Sequence, residues 1–294
     1  MAKNKQISST SWEDYELMDA GGGKKLERWG KIITIRPEVN AYFRSGLPFE
    51  EWNKIAHLEF IVKKGQQGIW KNLKKDAPNT WNLHYEKLVF ELKQTSYKHL
   101  GLFPEQRTNW DFIKKHLHRD DKFLNLFGYS GAASCMARYI GADTYHVDSS
   151  KTALNAAKAN MELNKLLNIR WVFEDAAKFL AKEVHRGHQF QGIQMDPPAW
   201  GNGAKGEKWR LEDQIDELMS NAARALSPNG FLIMNTYSPS VDLSLINDLS
   251  SLYFPDRKKE VVELVMSTTT KKILSFGNLL RVLPCYTISI VVFS

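Results

Sequence analysis

Cysteine is nearly absent from this chain of 294 residues, which carries only Cys135 and Cys285. Two thiols build neither a disulfide framework nor a zinc site, so no metal is expected and the reading is of a reducing, cytoplasmic compartment. Long apolar runs are missing as well: none reaches the roughly 20 residues of a membrane-spanning helix. The opening MAKNKQISST is too polar for a secretory signal. There is no internal repeat and no low-complexity block, which argues against a repeat array. Acidic residues are the minority charge, 33 Asp and Glu against 40 Lys and Arg, giving a formal +7 and a sequence pI near 9.2. A basic balance suits a polyanionic partner, nucleic acid above all, although a soluble protein can be basic without one. Hydrophobic content of 43% and charged content of 25% are ordinary for a globular chain with a real core.

What is present centres on KFLNLFGYSGAAS, residues 122–134, with HVDSS following at 146–150. Phe123, Leu124, Leu126 and Phe127 form a short apolar run that suits a strand buried on both faces. Gly128 and Gly131 break it, and Ala132, Ala133 and Ser134 open a helical pattern. Strand, glycine turn and helix N-terminus make a nucleotide cradle, because a backbone without Cβ atoms lets a ligand approach closely. Asp148 lies about 20 residues beyond Gly128 at the end of the next apolar stretch, where a carboxylate can accept hydrogen bonds from ribose hydroxyls. Asp175, just past the third strand, is placed for an adenine amino group. These features predict an enzyme with a ribose-containing cofactor. A NAD fingerprint fits worse: the turn reads G-Y-S-G-A-A, with Ser130 where the second glycine belongs and no third glycine in the helix.

Two regions flank a change of pattern. Residues 1–95 read as a small β-rich module: strands around the Gly21–Gly23 turn, KIITIRP (31–37), two strands within LEFIVKKGQQGIW (58–70), then WNLHY (81–85) and LVFELK (88–93). Its loops carry Lys63, Lys64, Lys71, Lys74 and Lys75, either a solvated face or contacts to RNA phosphates. Residues 96–294 alternate helices and strands, with helical patterns at 111–118, 150–166 and 210–226 and strands at 123–127, 169–174, 190–195 and 231–236. Two β-branched stretches, 261–267 and 287–294, close the chain. The order predicts an α/β fold, a doubly wound, mostly parallel sheet with an antiparallel edge strand.

The fourth strand of that sheet runs into MDPPAWG (195–201). Pro197 and Pro198 fix an extended backbone and remove two N–H donors, leaving carbonyls to accept. Asp196 and the Pro197 carbonyl are candidates to receive a substrate amino group, and Trp200 to stack on a flat ring; a rigid turn with a packed Trp is the plainer alternative.

LNLFGYSGAAS, HVDSSKTALNAAKANMELN, FEDA and MDPPAWG together resemble the class I S-adenosylmethionine-dependent methyltransferases, over roughly residues 85–294. Within them the chain is most similar to the branch that modifies large-subunit ribosomal RNA on cytosine C5 or guanine N7. Asn125 stands where that branch has an Asn in its first motif, and GLFPEQR (101–107) matches its G-x-F-x-x-Q-R segment. The resemblance implies a Rossmann-like sheet binding S-adenosylmethionine at Asn125, at Gly128, Tyr129 and Gly131 of the turn, and at Asp148, Asp175 and Asp196. It implies further contacts from Phe103, Gln106 and Arg107 in a segment folded over the cofactor. Catalysis falls to Asp196, Pro197, Pro198 and Trp200, and the partner is large-subunit ribosomal RNA.

One departure directs the chemistry. Methylation of cytosine C5 needs a thiolate to attack C6, and the branch carries that cysteine after the fifth strand. Here the position is NTYSPS (235–240), with no cysteine. Cys135 and Cys285 read as packing residues, so the expectation is direct transfer to a base nitrogen, whose lone pair needs only alignment and desolvation. The alternatives are a methyltransferase for a small molecule or a protein side chain, and a non-catalytic RNA-binding scaffold.

Overall fold

The strand and turn signals of the first 93 residues become a set of short strands. The computed structural model describes residues 5–284 apart from 204, 205 and 207. Strand β1 (Gln6–Ser9) precedes β2 (Tyr15–Gly21), β3 (Lys24–Trp29) and β4 (Ile32–Pro37). Helix α1 (Phe49–Ile55) then leads to β5 (Leu58–Lys64) and β6 (Gln67–Asn72). Strands β2 to β6 form one five-stranded sheet in chain order, and β7 (Thr80–Tyr85) pairs with β8 (Leu88–Lys93) as a separate hairpin. Gly22 and Gly23 make the β2–β3 turn at φ +57° and +78°, a left-handed backbone that glycine adopts without cost to a side chain. Helix α1 has no counterpart in the sequence reading. At seven residues it is too short to show a helical period, and buried Trp52 pins it through an indole bond to Asp19 Oδ2 at 3.0 Å.

After a strap over residues 98–107, ending in a 3-10 turn at Pro104–Gln106, the chain alternates: α2 (Arg107–His116), β9 (Lys122–Leu126), α3 (Ala132–Ile140), β10 (Asp143–Asp148), α4 (Lys151–Leu163), β11 (Ile169–Phe173), α5 (Ala176–His185) and β12 (Phe190–Met195). A small hairpin, β13 (Trp200–Asn202) with β14 (Lys208–Arg210), follows. The remainder is α6 (Leu211–Ala225), β15 (Leu226–Thr236), α7 (Leu243–Tyr253), β16 (Lys259–Ser267) and β17 (Ile273–Val282).

The main sheet has eight strands in the order β1-β16-β17-β15-β12-β9-β10-β11. Strand order reverses at β9, with β10 and β11 on one side and β12 and β15 on the other. That is the switch point where open α/β sheets bind ligands. Alternate residues of β9 feed opposite faces. Phe123 packs with Ala133, Met136 and Phe112. Leu124 and Leu126 pack with Met195 and with Leu218 and Met219 of α6. The first of these cores continues through Trp110, Tyr85 and Phe90 into Tyr15 and Trp29, so the two regions share one apolar interior.

Three details depart from the sequence reading. The antiparallel strand of the main sheet is β17, in a stretch not read as a strand from the sequence, and it lies inside, between β15 and β16, not at the expected edge. The edge is β1, because residues 6–9 pair in parallel with residues 263–266. Phe127 leaves the strand for the turn, at φ +57°. The strand expected at 287–294, and Cys285, lie outside the described residues. Among the described residues no helix is long and apolar enough to cross a membrane.

Candidate active site at the carboxyl ends of the strands

The turn after β9 is held in an uncommon backbone. Phe127, Tyr129 and Gly131 have φ of +57°, +49° and +80°, conformations that persist in non-glycine residues only when the surroundings over-determine them. Here the surroundings do so: Gly128 N donates to Val147 O at 3.0 Å, Asn160 Nδ2 to Ser130 O at 2.9 Å, and Ser130 Oγ to Gly101 O. A side chain at Gly128 would collide with the His146 ring, and a Cβ at Gly131 would sit 2.9 Å from that of Ala157.

Beneath the turn, Asn125 Nδ2 donates to Ser134 Oγ and that hydroxyl meets His146 Nδ1, both at 2.9 Å, with all three residues buried. Burial pushes His146 down to about 3, so it stays neutral. Asn125 therefore supports the turn from below and does not reach into the cleft. An acid at this position would bury a charge in the sheet.

Asp148 ends β10. Its Oδ2 accepts from Tyr129 N at 2.9 Å and its Oδ1 from Ser150 N at 2.8 Å. Burial raises its pKa and the two amides oppose that rise. Each oxygen keeps lone-pair capacity, which suits a pair of vicinal hydroxyls. Asp175 caps α5 through Lys178 N at 3.0 Å. The strap lies over the turn, the Phe103 ring 5.1 Å from that of Tyr129.

Arg107 is turned elsewhere. Its guanidinium donates to Thr10 O at 3.0 Å, Thr10 Oγ1 at 2.6 Å and Ser11 O at 2.5 Å, tying the N-terminal segment down. Of the three strap candidates, Phe103 and Gln106 reach the cleft.

The other half of the cleft forms around Asp196, just past β12. Gln106 Nε2 donates to Asp196 Oδ2 at 3.1 Å and lies 3.4 Å from the Tyr237 hydroxyl, which donates to Glu105 Oε1 at 3.0 Å. Burial, with repulsion from Glu105 behind it, pushes Asp196 up to about 8. Burial raises Glu105 too, opposed by Lys25. The Pro198 carbonyl accepts from Trp209 Nε1 at 2.7 Å, which ties the loop to the β14 strand. Trp200, 66% exposed, is not the packed residue of the loop; Trp209 is, at 6%.

The five-stranded sheet contributes a buried ionic cluster behind the strap. Arg36 grips Glu27 at 2.6 and 2.7 Å, and Tyr15 donates to the same carboxylate at 2.9 Å. Burial alone would raise Glu27, but Arg36 and Lys25 hold it down at about 2. Arg36 Nη1 also donates to Lys98 O at 3.0 Å, fastening the sheet to the strap. Sequence reasoning passed over Glu105, Asn109, Tyr237, His146 and Arg281. Tyr237 had a findable signal, lying one residue past β15 at the strand ends that carry Asp148 and Asp196. Among the described residues no group of three or more His, Cys, Asp or Glu side chains is placed to hold a metal.

A family model described as Conserved hypothetical protein 95 matches residues 106–260. The crystal structure of the SAM-dependent methyltransferase from Agrobacterium tumefaciens is 33% identical with a TM-score of 0.89, across 95% of this chain and 93% of that one. The chain belongs to the S-adenosylmethionine-dependent methyltransferases. Curated relatives of this methyltransferase include the ribosomal RNA large subunit methyltransferase K/L of Cellvibrio japonicus, 37% identical over 219 residues, or 70% of this chain and 28% of that protein. The protein of the same name from Pseudoalteromonas translucida is 36% identical over 151 residues, 50% of this chain and 21% of the relative. The chain thus spans only 21% to 28% of those two relatives. A structure from Streptococcus mutans, 16% identical with a TM-score of 0.70 over 92% of this chain and 75% of that one, shares the fold. The residues fit the family's cofactor: Asp148, with lone pairs to spare on both oxygens for a ribose, stands beside a tight turn that opens helix α3 at the switch point of the sheet.

Proposed function

We propose that this methyltransferase methylates a base nitrogen of large-subunit ribosomal RNA by direct transfer, without a cysteine nucleophile. The observation that carries the reading is the state of two side chains. Asp196 has one oxygen held by Gln106 and no hydrogen bond at the other among the described residues. Cys135 is fully buried in α3, where burial pushes its thiol up to about 12, far from the thiolate that carbon methylation requires. The RNA substrate rests on the K/L relatives, whose names state it, and on the net charge of +7.

When bound, S-adenosylmethionine supplies an electrophilic methyl group on a sulfonium. Asp148 takes the ribose hydroxyls, Asp175 the adenine amino group, and Gly128, Tyr129 and Gly131 the cradle, with Phe103 above. Asn125 and Arg107 act only through the elements they brace. Asp196 orients the acceptor nitrogen; Pro197 and Pro198 keep its loop stiff, and Trp200 stacks on a base taken out of its helix. The protein's contribution is alignment and exclusion of water. Residues 1–95 serve as a module whose Lys25 and Arg36 close the cleft behind the strap, and residues 96–294 as the methyltransferase domain. The module's Lys63, Lys64, Lys71, Lys74 and Lys75 are all exposed, as phosphate contacts must be. The cytoplasm is the place of action.

Nucleoside mass spectrometry of ribosomal RNA from a deletion strain tests this. One N-methylated nucleoside should vanish from the large-subunit RNA and return on treatment with purified protein and S-adenosylmethionine. Loss of 5-methylcytidine, or no loss from RNA at all, would overturn it.

A further inference from the structure

The hydrogen bonds around Asp196 have a fixed direction. Buried Arg281 on β17 can only donate, and it donates to Asn109 Oδ1 at 2.8 and 3.3 Å. Asn109 must therefore turn its Nδ2 to Gln106 Oε1, at 2.7 Å, and Gln106 its Nε2 to Asp196 and Tyr237. Asp196 and Glu105 hang on the same Gln106–Tyr237 pair, as two carboxyl groups coupled through one amide and one phenol. The titratable groups facing Asp196 are Glu105 from the strap and Tyr237 from the end of β15, while Lys25 and Arg36 on β3 and β4 act on Glu105. No ion pair joins Asp196 to a cation among the described residues. A half-buried carboxyl with no cationic partner among the described residues stands beside the turn where a sulfonium is to be bound.

We propose that the Asp196–Glu105 pair is a proton-exchanging counter-charge to that sulfonium, and that it selects acceptor nitrogens that carry hydrogen. The proposal rests on the methyltransferase reading of this site. Cofactor binding drives one proton off the pair, leaving a carboxylate against the positive sulfur. In the reaction the nitrogen lone pair forms the N–CH3 bond, the C–S bond breaks with its electron pair remaining on sulfur, and the N–H proton passes to Asp196 Oδ1. Sulfonium and carboxylate become thioether and carboxylic acid, so the buried pocket is neutral before and after. The acceptor is then an exocyclic amine or a ring N–H, not a ring nitrogen such as guanine N7 that becomes cationic. Burial that already holds a proton on Asp196 near neutral pH is consistent with this exchange.

The test is isothermal calorimetry on the full chain at pH 7.5. S-adenosylmethionine and S-adenosylhomocysteine are titrated separately, each in two buffers of different ionisation enthalpy. Binding of S-adenosylmethionine should release more than about half a proton, and binding of the product, whose sulfur carries no charge, almost none. Asp196→Asn should abolish the difference. Glu105→Gln, which removes the repulsion, should move the release to lower pH. Equal proton counts for the two ligands, or a difference that survives Asp196→Asn, would overturn the counter-charge. Identification of the RNA product as 7-methylguanosine would overturn the N–H selection. No heat from either ligand would instead refute the cofactor assignment beneath the proposal.

Discussion

On the proposed cofactor side of the cleft, each carboxylate is tied to backbone N–H groups: Asp148 to Tyr129 and Ser150, Asp175 to Lys178. On the acceptor side the bonds run between side chains drawn from four separate segments, Arg281 to Asn109, Asn109 to Gln106, Gln106 to Asp196 and Tyr237 to Glu105. Backbone donors stay where the fold puts them, so the first arrangement tolerates loss of a neighbour. A chain of side chains that starts from buried Arg281, Asn109 and Gln106 is cooperative, and each link orients the next. In the proposed function the first holds the cofactor and the second sets the charge and geometry of the acceptor.

The largest expected effect breaks the acceptor side alone. Asp196→Ala should slow single-turnover RNA methylation at saturating cofactor by about 100-fold or more, because alignment acts on the transition state. Affinity for S-adenosylhomocysteine should change by less than about threefold. A parallel loss of rate and affinity would merge the two sides into one.

A smaller effect follows from proton linkage. Burial and Glu105 push Asp196 up to about 8 from an ordinary 3.8, so between these values the folded state holds a proton that the unfolded state has released. The stability that Asp196 contributes is therefore fully present at and below pH 4 and falls as pH rises toward 8. Asp196→Asn, which cannot ionise, should be more stable than wild type at pH 8.5 by about 1–3 kcal/mol and show little gain at pH 4. Urea denaturation at the two pH values measures it; a gain independent of pH would contradict the burial of this carboxyl.

The smallest sharpens the contrast between Tyr237 and its neighbours. Tyr237→Phe removes one hydrogen bond to Glu105, worth about 1 kcal/mol, and should slow methyl transfer about fivefold with cofactor affinity unchanged. A change in S-adenosylhomocysteine binding, read by calorimetry, would place this hydroxyl on the wrong side.

The same contrast explains what the sequence could reveal. Gly128, Asp148, Asp175 and Asp196 sit at strand ends within unbroken local patterns, and the order of strands alone brings them to one edge. Strand β17 was invisible because Ser275, Gly277 and Asn278 interrupt its apolar residues, and Gly277 lies at φ +86° against the Thr236 backbone. Arg107 belongs to a motif that suggested a cofactor contact, yet its partners Thr10 and Ser11 lie nearly a hundred residues away in the chain. Arg281 and Asn109 have no local signature either, since their pairing across 172 residues exists only once β17 is seated beside β15.

The division of labour across the cleft is tested most directly by titrating S-adenosylhomocysteine into wild type, Asp148→Ala and Asp196→Ala under identical conditions. Asp148→Ala should lose about 1–3 kcal/mol of binding, the value of a charged acceptor to a pair of hydroxyls, while Asp196→Ala binds as wild type does. Full affinity in Asp148→Ala, or an equal loss in both variants, would contradict the account.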